Sequence, residues 1–270
     1  MLTYEALIGQ ARERGMPGSK MRGILREYLQ MLILKSLYSL ESGRKFCFTG
    51  GTYLRLLHQT KRFSEDLDFN AHGLSKNQFE TTVKKIVSML KKEGAESRVQ
   101  FEHWENLWVA KIVFPEIERF YRVVSKYSKK EGIMIKVEVN RPRWKINPET
   151  LVASGYGQMI PIICTQKGAL FADKIDALLK KNRVRHLFDL MFMLAQKYPI
   201  DQSVLKVVGV QEEPLKAIVR RTESFSSQEL KHQSESLRPF LFDESQAEMI
   251  VNAKSVIRQL VWQYQKHKPS

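Results

Sequence analysis

Asp66 and Asp68 stand two residues apart in "SEDLDFN", with Leu67 between them and Phe69 after them. In an extended strand successive side chains alternate faces, so both carboxylates point one way while Leu67 and Phe69 pack behind. The rise of a strand puts them about 7 Å apart, which suits a hard divalent cation such as Mg²⁺ or Mn²⁺. A second alternating run, "IMIKVEVN", turns Ile135, Val137 and Val139 toward a core and leaves Lys136, Glu138 and Asn140 on the opposite face. If the two strands are neighbours, Glu138 completes a three-carboxylate cluster with Lys136 beside it. Three acids around two metals are a donor set for phosphoryl and nucleotidyl transfer. Asp-Leu-Asp by itself is weak, because any half-buried strand end can show it.

The residues upstream narrow the chemistry. "KFCFT" is a short apolar strand that runs into Gly50-Gly51, and "TYLRLLHQ" reads as a short helix beginning at that glycine pair. Glycines between strand and helix let the backbone approach a ligand closely, and the N–H groups of a helix start favour phosphate. No Gly-Lys-Ser/Thr follows, so the turn is not a P-loop. Glu65 points away from Asp66 and Asp68 and is a neighbour of the site rather than a member.

Around these motifs, helices are expected over 3–14, 19–41 and 75–94, the last with a serine cap and a terminal Gly94. "SRVQFEHW" and "LWVAKIVF" form an antiparallel pair. Pro142 and Pro148 bracket a loop, and "VASGYGQMIPIICT" is a glycine-rich connection into one last short strand. From Thr165 onward helical periodicity dominates. The boundary therefore falls near 164, between a mixed half, 1–164, and a helical half, 165–270. Asp189 lies among Leu187, Phe188, Leu190 and Met191, where an unpaired carboxylate is costly. It needs a partner, with Lys174, Arg183 and Arg185 as candidates. Arg183 and Arg185 otherwise read as surface phosphate contacts. Trp104, Trp108 and Trp144 are expected in the core or packed on the sheet, and "KYSKK" is a basic turn.

The chain holds 44 Lys and Arg against 29 Asp and Glu, a formal charge of +15. The excess is spread over both halves, so an anionic partner, nucleic acid first, is favoured over a basic tail. Cys47 and Cys164 read as small buried hydrophobes, and neither they nor the six histidines show zinc spacing. His58, His72, His103 and His186 form no hydrolase triad with a serine in a nucleophile elbow. No apolar run is long enough to span a bilayer, and no signal peptide opens the chain, so the expected location is the cytoplasm with no membrane partner.

Taken in order, the strand, Gly-Gly, helix, Asp-Leu-Asp and distant Val-Glu-Val resemble the DNA polymerase beta-type nucleotidyltransferase superfamily. "GGTYLRLL", "KRFSEDLDF", "KVEV", "ADKIDALL" and "RVRHLFDL" together resemble the AbiEii/AbiGii toxins of type IV toxin–antitoxin and phage-abortive systems. The resemblance implies an α+β fold: a mixed β-sheet flanked by helices, then a C-terminal helical bundle that contributes to the active-site cleft. It implies Mg²⁺-dependent transfer of nucleotides from an NTP to an RNA 3′ end, with the tRNA acceptor as substrate and translation as the process stopped. A cognate antitoxin protein is implied as partner. Position by position, Gly50, Gly51 and Thr52 would hold the triphosphate, with Arg62, Ser64 and Lys136 nearby. Asp66, Asp68 and Glu138 would bind metal and act in catalysis, and Lys174 and Asp189 match the later lysine and aspartate motifs. Two departures stand out: His186 occupies a position where the family often has aspartate, and Thr52 one where many superfamily members have serine. Other readings of the same residues are a kinase-like or protein-directed transferase and a catalytically silent RNA-binding module. An Asp-x-Asp glycosyltransferase would leave the Gly-Gly turn unexplained.

Overall fold

The computed structural model describes residues 1–123, 132–181 and 183–266. The chain divides into two compact units, one of residues 1–142 with 146–165 and one of 143–145 with 166–270. "KYSKK" lies outside the described residues.

The first unit opens with α1 (Tyr4–Glu13) and α2 (Met21–Tyr38). Then come β1 (Phe46–Thr49), α3 (Gly50–His58), β2 (Leu67–Ala71) and α4 (Lys76–Lys92). A hairpin of β3 (Arg98–His103) and β4 (Leu107–Phe114) follows, then α5 (Ile117–Phe120), β5 (Ile133–Asn140), β6 (Pro148–Gly155) and β7 (Gln158–Thr165). The seven strands form one mixed sheet in the order β3-β4-β5-β2-β1-β7-β6. β2 lies in the middle, antiparallel to β1 and parallel to β5. Buried Phe46, Phe48, Phe69, Ile135, Val137 and Val139 supply the apolar face of these central strands, with α4 contributing Phe79, Val83 and Ile86 to the core.

Two ion-pair systems tie α2 to the turn that follows α3. Glu27 accepts from Arg55 Nε at 2.8 Å and from Arg14 Nη2 at 3.0 Å, and Arg55 Nη1 donates to the Thr60 carbonyl. Glu27 and Arg55 are almost fully buried, so losing either would strand a charge away from water. Arg26 Nη1 meets Glu65 Oε1 at 2.6 Å, and Gln30 donates to the carbonyls of Ser64 and Glu65. Glu65 is thus occupied by Arg26 of α2.

The connection expected to lead into a single last strand is instead the hairpin β6–β7. Tyr156 and Gly157 both have positive φ, 54° and 71°, which is the backbone of a two-residue turn whose twist matches antiparallel strands. β6 is an edge strand whose less exposed positions include Glu149 and Gly155 and whose exposed ones include Val152, so its sequence lacks the apolar alternation that marks a half-buried strand. Trp108 and Trp144 are buried, but Trp104 sits after β3 at the hairpin turn and is 54% exposed. A turn tip has no second layer to cover an indole, which corrects the core expectation for that residue.

The second unit is helical: α6 (Lys167–Lys180), α7 (Val184–Ala195), α8 (Gln202–Val208), α9 (Pro214–Glu223), α10 (Ser227–Leu237), α11 (Glu248–Val251) and α12 (Ala253–Lys266). Asp201, Glu213 and Ser226 cap α8, α9 and α10 through their side chains. Leu170, Ile175, Leu187, Leu190, Ile218 and Ile257 are among its fully buried residues.

Candidate active site

The register of the central strands decides which acids meet. Asp68 is paired with Glu138 on β5 and with Thr49 on β1, so all three share one face of the sheet. Leu67 and Phe69 point the other way and are buried, while Asp66, Asp68, Lys136 and Glu138 are half-buried. Asp66 precedes β2 by one residue, at the strand mouth. Lys136 Nζ lies 3.7 Å from Glu138 Oε1, which places a cation within the carboxylate face.

The glycine pair closes against this face. Gly50 has φ +83°, and a Cβ built on it would stand 2.1 Å from Asp68 Oδ2. Only glycine therefore lets β1 turn into α3 with the Asp68 carboxylate lying against its backbone. At Gly51 a Cβ would meet Arg62 Nη2 at 2.6 Å and Ser64 Oγ at 2.8 Å, so the guanidinium and the hydroxyl lie over that Cα. Arg62 is buried and also donates to the Phe63 carbonyl. α3 starts without a side-chain cap from Thr49, leaving its first N–H groups to other acceptors. Gly50, Gly51, Arg62, Ser64 and Asp68 thus converge.

Thr52 behaves differently. Its side chain is fully buried and its hydroxyl donates to the Asp66 carbonyl, so it fixes the strand mouth and offers a ligand only its backbone.

Among the described residues, no three His, Cys, Asp or Glu side chains are grouped so as to enclose a metal ion. The donors nevertheless fit one. Asp68 and Glu138 face each other across adjacent strands, and Mg²⁺ is usually held by one or two carboxylates with phosphate oxygens and water completing its shell.

In the helical unit Lys174 on α6 meets Asp189 on α7, Nζ to Oδ2 at 2.8 Å. Their side chains are 8% and 0% exposed. Lys174 is therefore the partner Asp189 requires, while Arg183 and Arg185 are exposed. His186, one turn before Asp189, is buried with no hydrogen bond to either ring nitrogen. Burial, then the nearby charge of Lys174, pushes its pKa down to about 3, so it is neutral beside the pair. Cys47 and Cys164 are buried free thiols, and burial pushes them up to about 11 and about 12 respectively.

Residues 32–256 match the model of the family described as Nucleotidyl transferase AbiEii toxin, Type IV TA system. The chain belongs to that family. It is a nucleotidyltransferase toxin of a type IV toxin–antitoxin system, and the family implies a cognate antitoxin. No curated protein sequence matches the AbiEii-family chain significantly. Among solved structures it is similar to MenT4, a nucleotidyltransferase toxin of Mycobacterium tuberculosis, with a TM-score of 0.57 at 17% identity over 98% of this chain and 93% of that one. It is also similar to JHP933 of Helicobacter pylori, with a TM-score of 0.52 at 17% identity over 90% and 94%. At that identity the likeness bears on fold, which is the α+β arrangement of a mixed sheet and many helices. Among the described residues no helix is long and apolar enough to cross a membrane.

Proposed function

We propose that this toxin transfers a nucleotidyl group from an NTP to an RNA 3′ end, with the tRNA acceptor as substrate, and so blocks translation in the cytoplasm. The observation that carries the reading is the pairing of Asp68 with Glu138 beside the Gly50-Gly51 start of α3. A divalent cation, Mg²⁺ or Mn²⁺, held by Asp68 and Glu138 with Asp66 at the mouth, would supply charge neutralisation on the phosphates. The uncapped N–H groups of α3, with Arg62 and Ser64 over Gly51, bind the triphosphate. Lys136 adds a cation on the same face. Glu138 accepts the proton of the RNA 3′ hydroxyl as its oxygen bonds to the α-phosphorus. The bond from the α-phosphorus to the bridging oxygen breaks, and pyrophosphate leaves. Lys174 and Asp189 carry the roles of the later family motifs, and Arg183 and Arg185 contact RNA phosphates.

Incubating the purified chain with labelled NTPs, total tRNA and Mg²⁺ tests this. Label in tRNA that is lost in Asp68→Asn supports it. Label in protein instead, or RNA binding without transfer of any NTP, overturns it.

A further inference from the structure

The outer face of α12 has no part in the chemistry above. Its inner positions, Ala253, Ile257, Val261 and Tyr264, are buried, and Tyr264 Oη donates to the Tyr198 carbonyl. That anchoring leaves the opposite face with a distinct composition. The fourteen residues "AKSVIRQLVWQYQK" contain three cations and no acid. Lys254, Arg258, Trp262 and Lys266 recur at four-residue intervals and so form one stripe along the helix.

Trp262 is 55% exposed, and Lys266 Nζ lies 3.8 Å from its ring centroid. Arg258 is held by Glu223 of α9 at 2.6 Å. Lys254 and Lys266 have no ion pair among the described residues. The neighbours Gln259, Gln263 and Gln265 are exposed and polar, so Trp262 is not the centre of an apolar protein-docking patch. An exposed indole with a cation against its ring, on a helix that carries further positive charge toward its N-terminal end, fits a base and its phosphates. Such stacking accepts any base, because every base has a π-face.

We propose that the outer face of α12 binds single-stranded RNA, with a base stacked on Trp262 and phosphates at Lys254 and Lys266. This deepens the transfer reading by naming a surface that holds acceptor RNA, and it rests on that reading only for the identity of the RNA as acceptor.

Fluorescence anisotropy of a short labelled single-stranded RNA, titrated with the full chain in the absence of NTP, tests the surface. Trp262→Ala is expected to weaken binding about tenfold at unchanged salt dependence. Lys254→Gln/Lys266→Gln is expected to reduce the slope of log K against log salt by about 1.4, or about 0.7 per phosphate contact. Affinities within twofold of wild type in both variants, at wild-type thermal stability, overturn the proposal and leave the face to a protein partner. Because the probe needs no NTP, the two readings fail separately. Transfer without Trp262-dependent binding overturns this inference alone, and Trp262-dependent binding without transfer overturns the transfer reading alone.

Discussion

The strand site and the helical pair carry the same kind of residue in opposite states. Asp66, Asp68 and Glu138 are half-buried acids crowded at one sheet face against glycine backbone, with a cation at 3.7 Å from one of them. Asp189 is fully buried and meets one amine at 2.8 Å. The first arrangement gathers negative charge where a ligand can neutralise it. The second is electrically closed, and its desolvation is offset only while both members remain. Motif residues in the two units should therefore fail differently when substituted.

The largest contrast is expected at Asp68. Asp68→Asn keeps the shape of the side chain on a face that also carries Glu138 and Lys136, so thermal stability should change little. Nucleotide incorporation should fall on the order of 10³-fold, the scale of several kcal/mol of lost charge stabilisation. A melting curve and an incorporation assay on one preparation check both signs. A large loss of stability would erase the distinction between the two sites.

Asp189→Ala should do the reverse in kind, leaving Lys174 buried and unpaired at a cost of about 3–5 kcal/mol in urea denaturation. Lys174→Met/Asp189→Leu should recover most of that stability, because an apolar pair fills the site without charge. If the double variant is stable yet inactive, Lys174 and Asp189 act in the reaction as well as in the fold.

The difference between the sites also governs what could be read in the sequence. Strand alternation displayed Asp68 and Glu138, and the glycine pair marked a close approach, because those signals are local. That Asp68 and Glu138 are partners depended on strand order, which alternation does not encode. The hydroxyl of Thr52 looked available and is spent on the Asp66 carbonyl, a contact between residues 14 apart in the chain. Glu27, Arg14 and Arg55 gave no signal, since a buried ion network looks in sequence like charges scattered over helices. β6 was hidden because its less exposed face carries Glu149 and Gly155 while Val152 faces out, and Trp104 because an indole at a hairpin tip reads like any other apolar residue.

His186 sharpens the comparison through pH. Its folded pKa of about 3 lies below the ordinary value of 6.5, so between those limits the unfolded chain binds the extra proton. Stability is therefore complete above pH 6.5 and lost as pH falls toward 3, at up to about 1.4 kcal/mol per pH unit. Lys174, Arg185 and Lys181 oppose protonation, and Asp189 favours it. His186→Phe should flatten this part of the stability–pH curve relative to wild type. An unchanged slope would mean that the imidazole is not held neutral.

The smallest effect is expected where the helical unit meets solvent. Arg183 is the N-cap residue of α7 and Arg185 lies in its first turn, with no acid in that turn. Positive charge there opposes the helix dipole by about 0.3–1 kcal/mol per residue, so the fold gains nothing from either arginine. Arg185→Gln should raise stability by a few tenths of a kcal/mol and lower the salt slope of RNA binding by about 0.7. Opposite signs on stability and binding would mark Arg185 as a contact to an anionic partner, whereas equal RNA affinity would leave it a solvated side chain.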